Sequence, residues 1–221
     1  MPLVAAPGTA LLLDAAGTLL RPAEPIARTY VRFAARFGAS PSEAEVKERL
    51  PRVMAKARSL RAAAPDWRPY WSQVVSTSTG CDAPGLLDAL MKYFERGDAW
   101  RVAEGAEACA RAVAERGMKV AVVSNWDVRL RVTLGALGVL EWIDAAIISA
   151  EVGVEKPDPG IFHRACERLG VEPESALHVG DQVGSDVRGA QGAGCQALLW
   201  PHDVGSFAAL ARRLLSPSEA R

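Results

Sequence analysis

A doubly wound α/β core with a parallel sheet, interrupted by an inserted all-helical cap domain, is the fold class predicted by this 221-residue sequence. Three observations carry the expectation. Short apolar runs end at small or acidic residues, helix-length amphipathic stretches separate them, and the first interval between runs is far longer than one crossover needs. Runs that are apolar at successive positions suit strands buried on both faces of a sheet.

In chain order the predicted strands are Ala10 to Leu13, Lys119 to Val123, Ala145 to Ile148, Ala176 to Val179 and Gln196 to Trp200. Helices fit at Ala106 to Arg116, Val128 to Leu137, Pro159 to Leu169, Ser185 to Gly192 and Ser206 to Leu215. The long first interval reads as helices at Ile26 to Phe37, Ser42 to Leu50, a segment opening at Pro51, Asp66 to Ser76 and Leu86 to Phe94, with Pro51 ending or kinking the second. Residues 1–22 and 98–221 are therefore expected to form the core and 23–97 the cap, with hinges at Leu20 to Pro25 and Gly97 to Gly105.

Composition narrows the function. Twenty-six basic side chains balance twenty-six acidic ones, so no global field holds nucleic acid or an anionic membrane, and a small molecule is the expected partner. Cys81, Cys109, Cys166 and Cys195 lie far apart, which excludes a CxxC zinc site and suggests free thiols in a reducing compartment. The N-terminus lacks a basic segment before an apolar one, and no apolar run approaches the ~18 residues of a membrane span. A cytoplasmic location is the expectation, an organelle the alternative had a leader been removed.

Strand ends carry the chemistry, because open α/β sheets bind ligands at their carboxyl edge. Asp14-Ala15-Ala16-Gly17-Thr18-Leu19 follows the first strand. Asp14 there suits a nucleophile, a metal ligand or a helix cap, and Gly17 admits close backbone approach to an anion. Val122-Val123-Ser124-Asn125-Trp126-Asp127 offers Ser124 as a phosphate donor, or Asn125 or Asp127 as helix caps. In Glu155-Lys156-Pro157-Asp158-Pro159, Lys156 can neutralise a phosphoryl group, or the segment can simply start a helix at Asp158 and Pro159. His178-Val179-Gly180-Asp181-Gln182-Val183-Gly184-Ser185-Asp186 places Asp181 as a hard-cation ligand and Asp186 either to orient Lys156 or a metal-bound water or simply at the positive end of its helix, with His178 as a satisfied core histidine. Coincidence of all four in order at one sheet edge favours the functional reading.

Together, Asp-x-x-Gly-Thr-Leu, Ser-Asn, Lys-Pro-Asp and Gly-Asp-x-x-x-x-Asp resemble the motifs of the haloacid dehalogenase-like (HAD) hydrolase superfamily over essentially the whole chain. Ser124 to Leu130, Gly180-Asp181 and the Gly189 to Gly194 run look most like its REG-2-like subgroup. The resemblance implies a Rossmann-like core with a helical cap after the first motif. It also implies Mg²⁺ held by Asp14, the backbone carbonyl of Ala16 and Asp181, with Asp186 assisting from the second shell of ligands. Thr18, Ser124 and Lys156 would hold the phosphoryl oxygens of a small phosphorylated substrate, beside Ala16, Gly17 and Asn125, and Asp14 would attack in line to give an aspartyl-phosphate.

One departure qualifies the implied activity: Ala16 stands where phosphatase members carry a second aspartate, the proton donor to the leaving alcohol. Positioned acid–base catalysis contributes roughly 10² to 10⁴-fold. A slow or selective phosphatase is the leading expectation. The alternatives are a phosphonatase-like enzyme using Lys47, Lys56 or Lys92 of the cap, a metal-independent dehalogenase, and a non-catalytic relative binding a phosphorylated ligand or a protein partner. Between Arg28 and Arg61, nine basic residues face three acidic ones, and the stripe Arg49, Arg52 and Lys56 is a candidate for attracting an anionic substrate. Trp67, Tyr70 and Trp71 read as cap core, and Trp126 as a substrate-stacking ring or a cover for the sheet edge.

Overall fold

A computed structural model describes residues 3–216. Strand β1 (Ala10–Leu13) is followed by the short β2 (Leu20–Pro22), helices α1 (Ile26–Ala35), α2 (Glu43–Lys56), α3 (Arg68–Thr79) and α4 (Leu86–Phe94), and β3 (Trp100–Val102). The chain continues through α5 (Ala106–Ala114), β4 (Lys119–Ser124), α6 (Arg129–Ala136), β5 (Ala145–Ile148), the one-turn α7 (Ser149–Val152) and α8 (Pro159–Leu169). Last come β6 (Ala176–Gly180), a π-helical turn at Val183–Arg188, the short α9 (Gly189–Gly192), β7 (Gln196–Leu199) and α10 (Phe207–Leu215).

Five strands form one sheet in the order β5-β4-β1-β6-β7, every pairing parallel. The fold class is the predicted α/β one. The central apolar runs are buried, Ala10 to Leu13 and Val120 to Val123 being fully covered, while the edge strands β5 and β7 are partly exposed. On one face Leu12, Val123, Ile147 and Ala176 pack against Ile161, Phe162 and Ala165 of α8. Helix α8 begins where the sequence places it, because the Asp158 side chain accepts from Gly160 N–H at 2.8 Å and Pro159 occupies the first turn, which needs no N–H.

Two compact units divide the described chain. One holds the five-stranded sheet and comprises the chain up to Arg21, Val102–Trp126 and the chain from Leu134 on; the other comprises Pro22–Arg101 and Asp127–Thr133. Helices α1 to α4 of the second unit pack around Tyr30, Val46, Val53, Tyr70, Val74 and Leu90. Segment Asp127–Thr133 is tied into this helical unit. Val128 N–H donates to the Pro65 carbonyl at 3.3 Å, and the fully buried Asp127 carboxylate accepts from Trp71 Nε1 at 2.6 Å and from Arg129 through both Nε and Nη2, at 2.9 and 2.6 Å. Arg129 Nη1 also donates to the Met91 carbonyl at 3.2 Å.

Three expectations are corrected. Helix α2 runs past Pro51 to Lys56. An interior proline costs a helix about 3 kcal/mol, offset here by a Ser42/Glu45 capping box at the N-terminus and by burial of Val46 and Val53 on either side of an exposed Pro51. The helix expected at Ser185 to Gly192 is instead a π turn followed by one α turn. Strands β2 and β3 pair as a separate ribbon that the sequence reading did not foresee.

Candidate functional site

Asp14 directly follows β1, and its N–H donates to the Val179 carbonyl of β6 at 2.9 Å. Ser124 is the last residue of β4, and Asp181 directly follows β6. Because β1 lies between β4 and β6, these three strand ends are neighbours. The chain proceeds from β1 to β4 and β5 on one side, then to β6 and β7 on the other. The order reverses between β1 and β6, the position at which open α/β sheets bind ligands.

Lys156, only 2% exposed, is the centre of the polar network. Its Nζ donates to Asp14 Oδ1 at 2.7 Å, to Asp186 Oδ1 at 2.5 Å and to the Val123 carbonyl at 2.9 Å. Ser124 Oγ donates to the same Asp14 oxygen at 3.1 Å. Asp186 is bound on both sides: Oδ1 also lies 3.0 Å from His178 Nε2, and Oδ2 accepts from Gln182 N–H at 2.9 Å.

Burial opposes every charge in this cluster, and the neighbours decide the outcome. For Lys156, burial is outweighed by Asp14 and Asp186, which hold the ammonium above the ordinary lysine range. For Asp186, burial is outweighed by the bond from His178 and the charge of Lys156, so its carboxyl sits well below the usual range. Asp14 goes the other way, burial lifting it despite Lys156, and Asp181 is likewise raised by burial. Burial also pulls His178 below its ordinary value, against the opposing pull of Asp186.

Asp14, Asp181 and Asp186 each offer a carboxylate oxygen within 4.8 Å of the others, a donor set suited to a hard divalent cation. Their approach depends on missing side chains. A Cβ on Gly17, at φ +84°, would fall 2.5 Å from Asp181 Oδ2, and one on Gly180 would fall 2.3 Å from Asp186 Cγ. The Ala16 carbonyl is not used by the local bridge, which runs from Gly17 N–H to Leu20 O and from Leu20 N–H to Ala15 O.

Among the sequence-predicted residues, the structure thus brings Asp14, Ser124, Lys156, Asp181 and Asp186 together. Ala16 and Gly17 lie exposed beside them. Thr18 is fully buried, and its hydroxyl makes no hydrogen bond among the described residues. Asn125 does not present a free amide: Nδ2 donates to the Lys156 carbonyl at 2.8 Å and Oδ1 accepts the Lys156 N–H at 2.7 Å. Trp126 is half-buried, its backbone bracketed by the Ser149 hydroxyl. Sequence reading missed the tie from His178 to Asp186; the available signal was a histidine in an aliphatic strand two residues before Gly180-Asp181.

In the helical unit, Arg49 pairs with Glu45 and Arg52 with Glu48 along α2, at 2.7 and 3.0 Å and exposed to solvent. Lys47, Lys56 and Lys92 are exposed. Trp67 and Tyr70 are buried as expected of a core, while Trp71 serves the Asp127 cluster.

Residues 9–194 match the family model of the haloacid dehalogenase-like hydrolases. The chain is 31% identical over 202 residues to a zebrafish (Danio rerio) protein named haloacid dehalogenase-like hydrolase domain-containing protein 3, covering 86% of this chain and 83% of that protein. The bovine (Bos taurus) protein of the same name is 41% identical over 114 residues, covering 52% of this chain and 45%, about half, of its own length. Among solved structures, a HAD phosphatase from Thermococcus onnurineus superposes with a TM-score of 0.60 at 26% identity, over 86% of this chain and 85% of that one. Motif order, sheet order and these similarities agree: the chain belongs to the haloacid dehalogenase-like hydrolase family.

Proposed function

We propose that this protein is a Mg²⁺-dependent hydrolase of small phosphate monoesters, slow or selective in turnover, that acts through an aspartyl-phosphate at Asp14. The observation that carries the reading is the buried Asp14 carboxylate, held by Lys156 and Ser124 and grouped with Asp181 and Asp186. Asp14, the Ala16 carbonyl and Asp181 would hold Mg²⁺, with Asp186 behind them; when bound, the ion supplies charge stabilisation for a phosphoryl group. Lys156 and Ser124 orient the attacking oxygen and neutralise charge that builds on the phosphoryl oxygens, with Thr18 and the Gly17 backbone beside them. Asn125 acts through Lys156, whose backbone it fixes. Residues 23–97 would form the cap, and a cytoplasmic location fits the reading.

Ala16 supplies no proton to a departing alkoxide, so the substrate is expected to be an ester with a good leaving group or an acyl phosphate. Asp181, grouped with Asp14 and Asp186 but paired with no basic side chain among the described residues, argues against a metal-independent dehalogenase, which needs no cation ligand. Exposure of Lys47, Lys56 and Lys92 argues against a Schiff-base phosphonatase, which requires a desolvated amine. The loss of the acid at Ala16 favours one second reading, a binding protein without turnover. Hydrolysis of p-nitrophenyl phosphate and acetyl phosphate, with and without Mg²⁺, separates the two. The hydrolase reading expects Mg²⁺-dependent release of phosphate that Asp14→Asn removes; no release above Asp14→Asn would leave the binding reading.

A further inference from the structure

We propose that His178 is a positioning residue of this site, holding Asp186 so that Asp186 holds Lys156 against Asp14; the inference rests on the metal-dependent reading above. His178 lies on β6, fully buried, its ring edge-on to Phe162 of α8 with centroids 5.0 Å apart. One ring nitrogen, Nε2, reaches Asp186 Oδ1; the other, Nδ1, is buried with no hydrogen-bond partner among the described residues. A buried, half-satisfied imidazole is a worse filler for an aliphatic layer than leucine, because its unpaired nitrogen has lost its water. Packing therefore gives no reason for histidine here. What histidine adds is one N–H aimed at the oxygen that also accepts from Lys156. Three donors, from His178, Lys156 and the Gln182 backbone, then fix both Asp186 oxygens. With the N–H removed, Asp186 is restrained from one side fewer, and the Lys156 and Asp14 geometry loosens with it.

The test compares His178→Leu, which removes the donor, with His178→Gln, which keeps one, in the full chain. Mn²⁺ binding is measured by electron paramagnetic resonance without substrate, alongside thermal melting and steady-state kinetics on p-nitrophenyl phosphate. Loss of a partner outside the ligands themselves typically weakens metal affinity or activity by about 10 to 100-fold. His178→Leu is expected to bind Mn²⁺ about 10-fold more weakly and to lose kcat more than it raises KM, with a melting temperature equal to or above wild type. His178→Gln is expected to recover most of the affinity. Unchanged Mn²⁺ affinity in His178→Leu overturns the proposal, as does a Gln variant that binds as weakly as the Leu variant and melts lower than wild type. Asp181→Asn keeps the two readings apart: if it leaves Mn²⁺ binding at the wild-type level, the metal site itself is misplaced and the role of His178 falls with it. If it abolishes binding, the His178 variants alone decide.

Discussion

Two charge clusters among the described residues are built on opposite principles. In the helical unit, Asp127 faces Arg129 through a two-pronged bond and takes a third from Trp71, so one carboxylate meets one guanidinium with its oxygens satisfied. In the sheet unit, Asp14 and Asp186 pair with one buried cation, Lys156, and the half-buried Asp181 stands beside them without a basic partner of its own among the described residues. The first cluster is closed and can serve structure alone. The second has two carboxylates in excess of its lysine, an imbalance that the Mg²⁺ of the proposed function would offset.

Substitutions that remove one acid from each cluster break or confirm that contrast. The largest expected effect is Asp14→Asn, which should eliminate phosphate release by several orders of magnitude while leaving the urea midpoint unchanged or raised, since it removes the cost of burying that charge, which outweighs the attraction of Lys156. A marked fall in that midpoint would show the cluster to be structural. Next is Ala16→Asp, expected to raise kcat on alkyl phosphates by about 10² to 10⁴-fold, the usual worth of a positioned acid. Stopped assays on glycerol phosphate read this directly. Asp127→Ala should show the reverse pattern to Asp14→Asn: stranding Arg129 costs about 3 to 5 kcal/mol in urea unfolding, the range for breaking a buried pair, with the chemistry of the sheet unit untouched.

A third kind of buried group, with no charge partner, supplies the control. Burial alone pushes the Cys109 thiol up to about 11. Its folded value is above the unfolded one, so its contribution is complete below about pH 9 and is lost as pH rises toward 11. Urea midpoints at pH 8.5 and 10.5 should therefore converge in Cys109→Ala relative to wild type. The smallest effect belongs to the stripe Arg49, Arg52 and Lys56. Triple replacement by Gln should change stability by under about 1 kcal/mol, because exposed i,i+4 pairs contribute only about 0.3 to 0.5 kcal/mol each.

The contrast between clusters also marks what a sequence discloses. Strands such as Ala10 to Leu13 were legible because burial on both faces leaves an unbroken apolar run, and Asp14, Ser124, Lys156 and Asp181 because each stands where such a run or its following loop ends. Asp127 was not legible as a cluster centre, since an Asp two residues before a helix reads equally well as a cap; it does accept from Arg129 N–H at 3.0 Å, and its partner Trp71 is 56 residues away. Three-residue strands such as β2 carry too short a pattern to register. Continuation of α2 through Pro51 depends on tertiary burial that local propensity cannot express.

Asp127–Thr133 has a further consequence, for recombination. Exchanging residues 22–101 for the corresponding stretch of a relative without a tryptophan at position 71 would look like a clean transplant, yet the recipient would keep Asp127 and Arg129 while losing the Trp71 indole that donates to Asp127. Such chimeras should fold only when the seven residues from 127 to 133 travel with the donor segment, making the helical unit an exchangeable part in two pieces rather than one.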